Sequence, residues 1–289
     1  MKTIRRILAL TILLIVGWIA YSLFSHQLPR HRSEDYEHKI KVLSYNTNGL
    51  GKNAQQLLAY INSQDADIVC LQEVCVYKNP MYLTLPALRQ AMHTYPYTYY
   101  DFKVYNNVRQ FGIVVFSRYP LIHKHTIDYS SRANISSCCD VVINSDTIRL
   151  LVNHLESYSI IDSDLKIDTL SFSSLRNSPL GHKIRHARPL RRQQAQAVKQ
   201  ECNNSPYPVI VAGDFNATPI SYVYWKIKHG LRDCFTECSF GELGNTYTGH
   251  HIGVRIDYIL CSPTLTPLEF SVDHVDYSDH YPITATMGW

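Results

Sequence analysis

A carboxylate and an amide stand two residues apart where an apolar run stops, in Val209-Ile-Val-Ala-Gly-Asp-Phe-Asn-Ala-Thr-Pro219. Alternate side chains of a strand share a face, so Asp214 and Asn216 aim at one point beyond the strand end. Gly213 permits close backbone approach, and Pro219 stops the strand. The bland reading is a strand followed by an Asx-type turn. Other polar residues recur where apolar runs end: Asn46 after Ile-Lys-Val-Leu-Ser-Tyr, Glu73 after Ile-Val-Cys-Leu-Gln, and His154 after Leu-Leu-Val-Asn. Asp257 lies within Arg-Ile-Asp-Tyr-Ile-Leu, and Asp279 and His280 precede Tyr-Pro-Ile-Thr-Ala. Each has an ordinary explanation: a turn at Asn46, a solvated Glu73, a core-edge His154, an Asp257–Arg255 pair. Together they describe one rim. Its Glu, Asp and Asn oxygens suit Mg²⁺ or Mn²⁺, and the absence of any CxxC pair argues against zinc. Two histidines beside such a rim suit proton transfer and anion stabilisation.

The elements that must position these groups are legible in outline. Strands are expected at 40–46, 67–73, 111–116, 140–143, 148–153, 209–212, 256–261 and 283–287, with helices at 53–63, 82–93 and 190–202. Several strands in succession with helices interspersed suggest two packed sheets with helices outside. Residues 156–189 lack periodicity and read as a long loop.

Ser-Tyr-Asn, Leu-Gln-Glu, Asn-His-Leu, Gly-Asp-Phe-Asn, Arg-Ile-Asp-Tyr-Ile and Ser-Asp-His-Tyr-Pro occur in the order of the endonuclease/exonuclease/phosphatase superfamily, which residues 40–288 resemble. That group includes DNase I-like nucleases, abasic-site endonucleases, sphingomyelinases and inositol-polyphosphate phosphatases. The resemblance implies an α/β fold, a four-layer α/β/β/α sandwich with the site at one edge of both sheets. It implies Glu73 as metal ligand, Asn46 at the metal or phosphate, and Asp279 on the metal side or in its hydrogen-bond network. Asp214 would orient or deprotonate the attacking water, and Asn216 would fix the phosphate. His280 would contact a phosphate oxygen with Asp257 orienting it, and His154 would assist the leaving group. The implied reaction is Mg²⁺- or Mn²⁺-dependent hydrolysis of a phosphoester: a nucleic acid, a phospholipid head group or a small ester. A catalytically inactive binding module of the same fold is the competing class.

Of 289 residues, 28 are Lys or Arg and 24 are Asp or Glu. Residues 1–39 hold six and three of these, so the remainder carries 22 and 21 and is nearly neutral. That balance gives no support to a strongly basic nucleic-acid binder. The most basic stretch, His182 to Arg192, reads as a solvated loop or, more sharply, as a phosphate or acidic-lipid contact. Tyr95, Tyr97, Tyr99, Tyr100 and Tyr105 read as sheet surface or core packing, the alternative being the lining of a substrate groove. Cys70 and Cys261 read as buried small hydrophobes, while Cys234 and Cys238 could pair if the domain is exported.

The expected organisation is 1–39 as anchor and tether and 40–289 as a monomeric catalytic domain. Residues 7–24 are almost wholly apolar and follow Lys2, Arg5 and Arg6. The expectation is a single transmembrane helix with the catalytic domain outside the cytoplasm, a cleaved signal peptide being the alternative.

Overall fold

Alternation decides which side chains meet. In β1 (Lys39–Asn46), Ile40 and Val42 enter the core between two sheets, whereas Leu43 and Tyr45 face a helix layer. The same parity holds in β7 (Asp146–His154), where Ile148, Leu150 and Val152 face the inter-sheet core, and in β8 (Val209–Asp214), where Ile210 and Ala212 do. These assignments come from a computed structural model that describes residues 33–51, 53–104, 108–127, 129, 131, 134–157, 178–239, 244–249 and 253–289.

The first sheet has the order β11 (Thr266–Val272), β12 (Ile283–Gly288), β1, β2 (Ile68–Tyr77), β4 (Arg109–Ser117), β3 (Tyr97–Val104). The second runs β5 (Leu121–Ile127), β6 (Ile135–Ile143), β7, β8, β10 (Asp257–Cys261), β9 (Arg232–Asp233). β1–β2 and β7–β8 are parallel pairs, and the other pairings are antiparallel. Each parallel pair is joined by a crossover helix, α1 (Ala54–Ser63) or α3 (Pro179–Asn203). The chain therefore has two related halves, and each lends its last two strands to the other's sheet. β5–β6 flank β7, and β11–β12 flank β1.

Three apolar clusters fill the layers: one between the sheets, one beneath α1 and α2 (Leu85–Ala91), and one beneath α3 and α4 (Tyr222–Lys228). A short helix, α5 (Cys234–Cys238), follows β9. The result is the expected α/β/β/α layering.

Several sequence expectations need correction. Helix α3 begins at Pro179, not Leu190, so the basic stretch is helical and Pro189 lies inside it. Strands β3, β5, β9 and β11 and helices α4 and α5 went unread. β5 shows why: only its terminal Leu121 and Ile127 are buried, so it carries no alternating apolar signal. Of the five tyrosines, Tyr95 is buried and Tyr97, Tyr99 and Tyr100 lie in β3, as packing predicts; Tyr105 lies outside the described residues. All eight cysteines are free thiols, Cys234 and Cys238 included, and Cys70 and Cys261 are buried. Residues 1–32, with the expected membrane segment, lie outside the described residues. Among the described residues no helix is long and apolar enough to cross a membrane.

Candidate active site

The inter-sheet parity of β1, β7, β8 and β10 carries Asn46, His154, Asp214 and Asp257 to the same end of the core. Register confirms the alignment: His154 stands beside Asp214, and Asp214 beside Asp257. Gly213 makes the approach possible. At its φ of 125° an added Cβ would sit 2.1 Å from the Asn153 carbonyl oxygen, which no larger residue tolerates.

Glu73 arrives differently. Parity would place buried Gln72, not Glu73, on the inter-sheet face, and Gln72 Nε2 indeed donates to Ser44 Oγ at 3.2 Å. A register shift between Leu71 and Val74, with Glu73 at φ 54°, turns the Glu73 side chain out of the ladder. Such a bulge re-aims one side chain at a sheet end. The Thr47 hydroxyl, 3.0 Å from the Gln72 carbonyl oxygen and 3.3 Å from that of Glu73, pins the bulge.

One amide ties the sheets together. Asn46 Nδ2 donates to Glu73 Oε1 at 3.0 Å and to Asp214 Oδ2 at 3.1 Å. Asp214 also accepts the Asn216 backbone N–H on Oδ1 at 2.7 Å and Asn216 Nδ2 on Oδ2 at 3.0 Å. His280 Nε2 lies 3.8 Å from Asp214 Oδ2, and its Nδ1 is 3.0 Å from Asp257 Oδ2. His154 Nε2 lies 3.2 Å from Glu73 Oε1 and 3.3 Å from Asn134 Nδ2. Asp279 is half-buried and accepts from Ser278 Oγ, which also reaches the Asn46 carbonyl oxygen at 2.9 Å. All eight sequence-selected residues thus belong to one connected arrangement. The ordinary explanation of Asp257 fails, because Arg255 pairs with Asp233 at 2.8 Å instead.

The electrostatics divide the acids. Burial pushes the Asp214 carboxyl up to about 6, with His280 pulling against it. Burial also acts on Glu73, but the His154 hydrogen bond and charge and the Asn46 amide outweigh it, holding that carboxyl at about 2. Burial disfavours the His280 cation, yet Asp257 and then Asp214 overcome it and push the imidazole up to about 10. His154 is raised in the same way, Glu73 overcoming burial. At neutral pH His280 is therefore a cation, His154 is biased toward its charged form, and Asp214 titrates within reach of physiological pH.

The donor set fits a hard divalent cation. Both contacts to Glu73 fall on Oε1, so Oε2 takes part in neither. Asp257 Oδ1 is buried without a hydrogen-bond partner among the described residues. Asp214 and Asp257 bring carboxylate oxygens within 4.8 Å of one another, whereas His280 as a cation has no lone pair to offer. Oxygen donors dominate, as such cations require.

Sequence reasoning missed three supporting residues. Asn134, just before β6, contacts His154 and donates to the Leu155 carbonyl oxygen at 2.9 Å. Thr246 Oγ1 accepts the Ile256 and Asp257 N–H groups, both at 3.1 Å. Buried Arg191 on α3 donates through Nη1 to the Asn216 carbonyl oxygen. Burial works on Arg191 against Asp214 and Glu156, bringing its guanidinium down to about 10. Arg191 sits in the basic stretch flagged above, which is the one signal that pointed to it.

A family model described as the Endonuclease/Exonuclease/phosphatase family matches residues 43–280. Among solved structures, one from Beutenbergia cavernae with that same family description superposes with a TM-score of 0.66 at 17% identity, covering 87% of this chain and 72% of that one. A humanized D. rerio TDP2 gives 0.62 at 19% identity, covering 87% of this chain and 99% of that one. The Neisseria 3' phosphatase NExo, bound to a product DNA hairpin, gives 0.61 at 19% identity, with coverages of 86% and 100%. These likenesses bear on the fold. No curated protein matches the chain.

Proposed function

The chain belongs to the endonuclease/exonuclease/phosphatase family and is a hydrolase of phosphoric esters, and on that premise we propose that it is a membrane-anchored, divalent-metal-dependent phosphodiesterase. One observation carries the catalytic part: the Asn46 amide bonds at once to a carboxylate of each sheet, Glu73 and Asp214, beside a His280–Asp257 pair. An inactive binding module has no need of this convergence.

Asp214 receives the proton of the attacking water. Its raised affinity for protons makes it a better base than an exposed aspartate. Asn216 and Asn46 fix the direction of that carboxylate. His280, held cationic by Asp257, places positive charge against a phosphoryl oxygen as negative charge grows there. His154 shares its proton with Glu73 and gives it to the departing oxygen. Glu73, Asn46 and Asp279 would hold Mg²⁺ or Mn²⁺, which when bound supplies positive charge against the phosphoryl group.

Residues 7–24 serve as the membrane span and 25–38 as the tether, with the catalytic domain a monomer outside the cytoplasm. The apolar run and the preceding Lys2, Arg5 and Arg6 support this. The test is full-length protein in detergent, with Mg²⁺ or after EDTA, against bis-nitrophenyl phosphate, the corresponding monoester, plasmid DNA, sphingomyelin and phosphoinositides. Hydrolysis of the diester that chelation abolishes is expected. Undiminished turnover in EDTA removes the metal from the reading, and a monoester hydrolysed faster than the diester replaces the phosphodiesterase.

A further inference from the structure

Beside Asn216 the surface changes character. Ile220 is 92% exposed, Trp225 58% and Tyr222 43%. They are not on a loose segment. The Asn216 carbonyl oxygen accepts from Arg191, the Ala217 carbonyl oxygen accepts from Tyr258 Oη at 2.7 Å, and Ser221 N–H closes a turn on Thr218 O at 2.9 Å. The turn holds Ile220 outward. Tyr222 and Trp225, three apart on α4, share a helical face.

Charge is concentrated in the same part of the chain. Residues 179–228, which span α3 to α4, contain eight Lys or Arg against Glu201 and Asp214 alone. The other residues from 40 to 289 contain 14 basic and 19 acidic side chains. The nearly neutral domain is therefore polarised, with a net +6 over residues 179–228 and −5 over the rest. The exposed Arg192 guanidinium lies 4.5 Å from the Tyr222 ring centroid, and Lys228 Nζ lies 5.4 Å from that of Trp225.

We propose that Ile220, Tyr222 and Trp225, framed by Arg188, Arg192, Lys226 and Lys228, dock the catalytic rim onto a bilayer bearing anionic phospholipid head groups. This deepens the membrane reading above and rests on it. An outward aliphatic residue beside Trp and Tyr, ringed by cations, is the composition of an interfacial lipid contact. A nucleic-acid strand is the other polyanion to weigh. It would stack bases on open aromatic faces, but here cations cover the Tyr222 and Trp225 rings, and Ile220 offers a base no such surface. Docking through this face brings Asn216 and Asp214 to the head-group layer, so a phospholipid phosphodiester is the substrate class it selects.

The experiment is hydrogen exchange of the full chain in nanodiscs of phosphatidylcholine alone or mixed with phosphatidylglycerol. Amides of 218–229 should exchange more slowly in the anionic discs. Each basic residue at an anionic surface strengthens docking about fivefold, so Lys226→Glu with Lys228→Glu should weaken it at least ~25-fold and remove the protection. Ile220→Ser with Trp225→Ser should do likewise. Neither pair should alter bis-nitrophenyl phosphate turnover, which reports the catalytic reading separately. Recovery of the chain with neutral discs reports the anchor. If it does not insert, the same comparison is made with added vesicles. Equal exchange in neutral and anionic lipid overturns the proposal. So does protection of 218–229 by a single-stranded oligonucleotide in neutral discs without protection by anionic lipid.

Discussion

Replacing Asp257 with Asn removes a charge and leaves the side chain nearly the same shape. Its effect can be worked through His280. The imidazole is pushed up from an ordinary 6.5 to about 10, which corresponds to roughly 5 kcal/mol in favour of the cation. Burial opposes that preference. Asp257 leads the forces that restore it, acting through both its charge and its hydrogen bond, ahead of Asp214 and Asp279. If about half of the preference is lost, roughly 2–3 kcal/mol goes and the folded pKa falls to about 8, so turnover drops little at pH 7 and by about tenfold near pH 9.5. The sign in pH follows. The cation is lost as pH rises through the folded pKa, so the wild-type alkaline limb falls near pH 10 and the Asp257→Asn limb moves toward 6.5. The acid limb reflects Asp214, which must lose its proton and is pushed up to about 6 by burial and, in part, by Asp257. That limb should move down as well. The assay is kcat/KM for bis-nitrophenyl phosphate between pH 5 and 10.5, with a melting curve to confirm the fold. An alkaline limb that stays put, with turnover within twofold of wild type, would refute the reasoning.

Glu73→Gln should raise the Mg²⁺ concentration for half-maximal activity by about tenfold or more, since it removes an anionic ligand whose direction Asn46 and His154 set; titration of activity with metal checks this, and an unchanged requirement removes Glu73 from the cation site. Gly213→Ala should cost at least about 3 kcal/mol, because the new Cβ meets the Asn153 backbone; a fall of roughly 6–12 °C in Tm is expected, and a Tm within two degrees of wild type contradicts it. Asp214→Asn should lower turnover about 10²–10⁴-fold with KM little changed, as removal of a general base does; near-normal turnover shows that another group takes the proton. Asn134→Ala should lower turnover less, by roughly tenfold, and widen the pH range over which His154 is charged, since it removes an amide N–H that faces His154 Nε2 and favours the neutral ring; an unaltered pH profile leaves Asn134 a structural role only.

The site was more legible than the frame around it. Asn46, His154 and Asp214 end apolar strands on one parity, so simple alternation brings them together. Glu73 breaks parity: only the bulge beside Gln72 delivers it, and a bulge has no apolar signature in sequence. The strands that were missed are those with one edge or face in solvent. β5 reads Ile-His-Lys-His-Thr, all exposed, between two buried residues, and its mostly polar content hides its conformation. Helix α3 went unread before Leu190 because the stretch up to that point is basic and contains Pro189. Its stability comes from the sheet beneath it, through Ala195 and Val198, and not from local propensity.

The exchange of strands between halves has a temporal consequence. β1 hydrogen-bonds to β12 on one side, and about 240 residues separate them in the chain. A ribosome adding about 5–20 residues per second leaves that edge of β1 without its partner for roughly 10–50 s. Lys39 and Lys41 stand on this strand, and such charges discourage pairing with a stranger's edge during the wait. His280 emerges just ahead of β12. The hydrolase is therefore inert throughout its own translation, and a frameshift or stop codon that removes only β12 should abolish activity outright instead of trimming it.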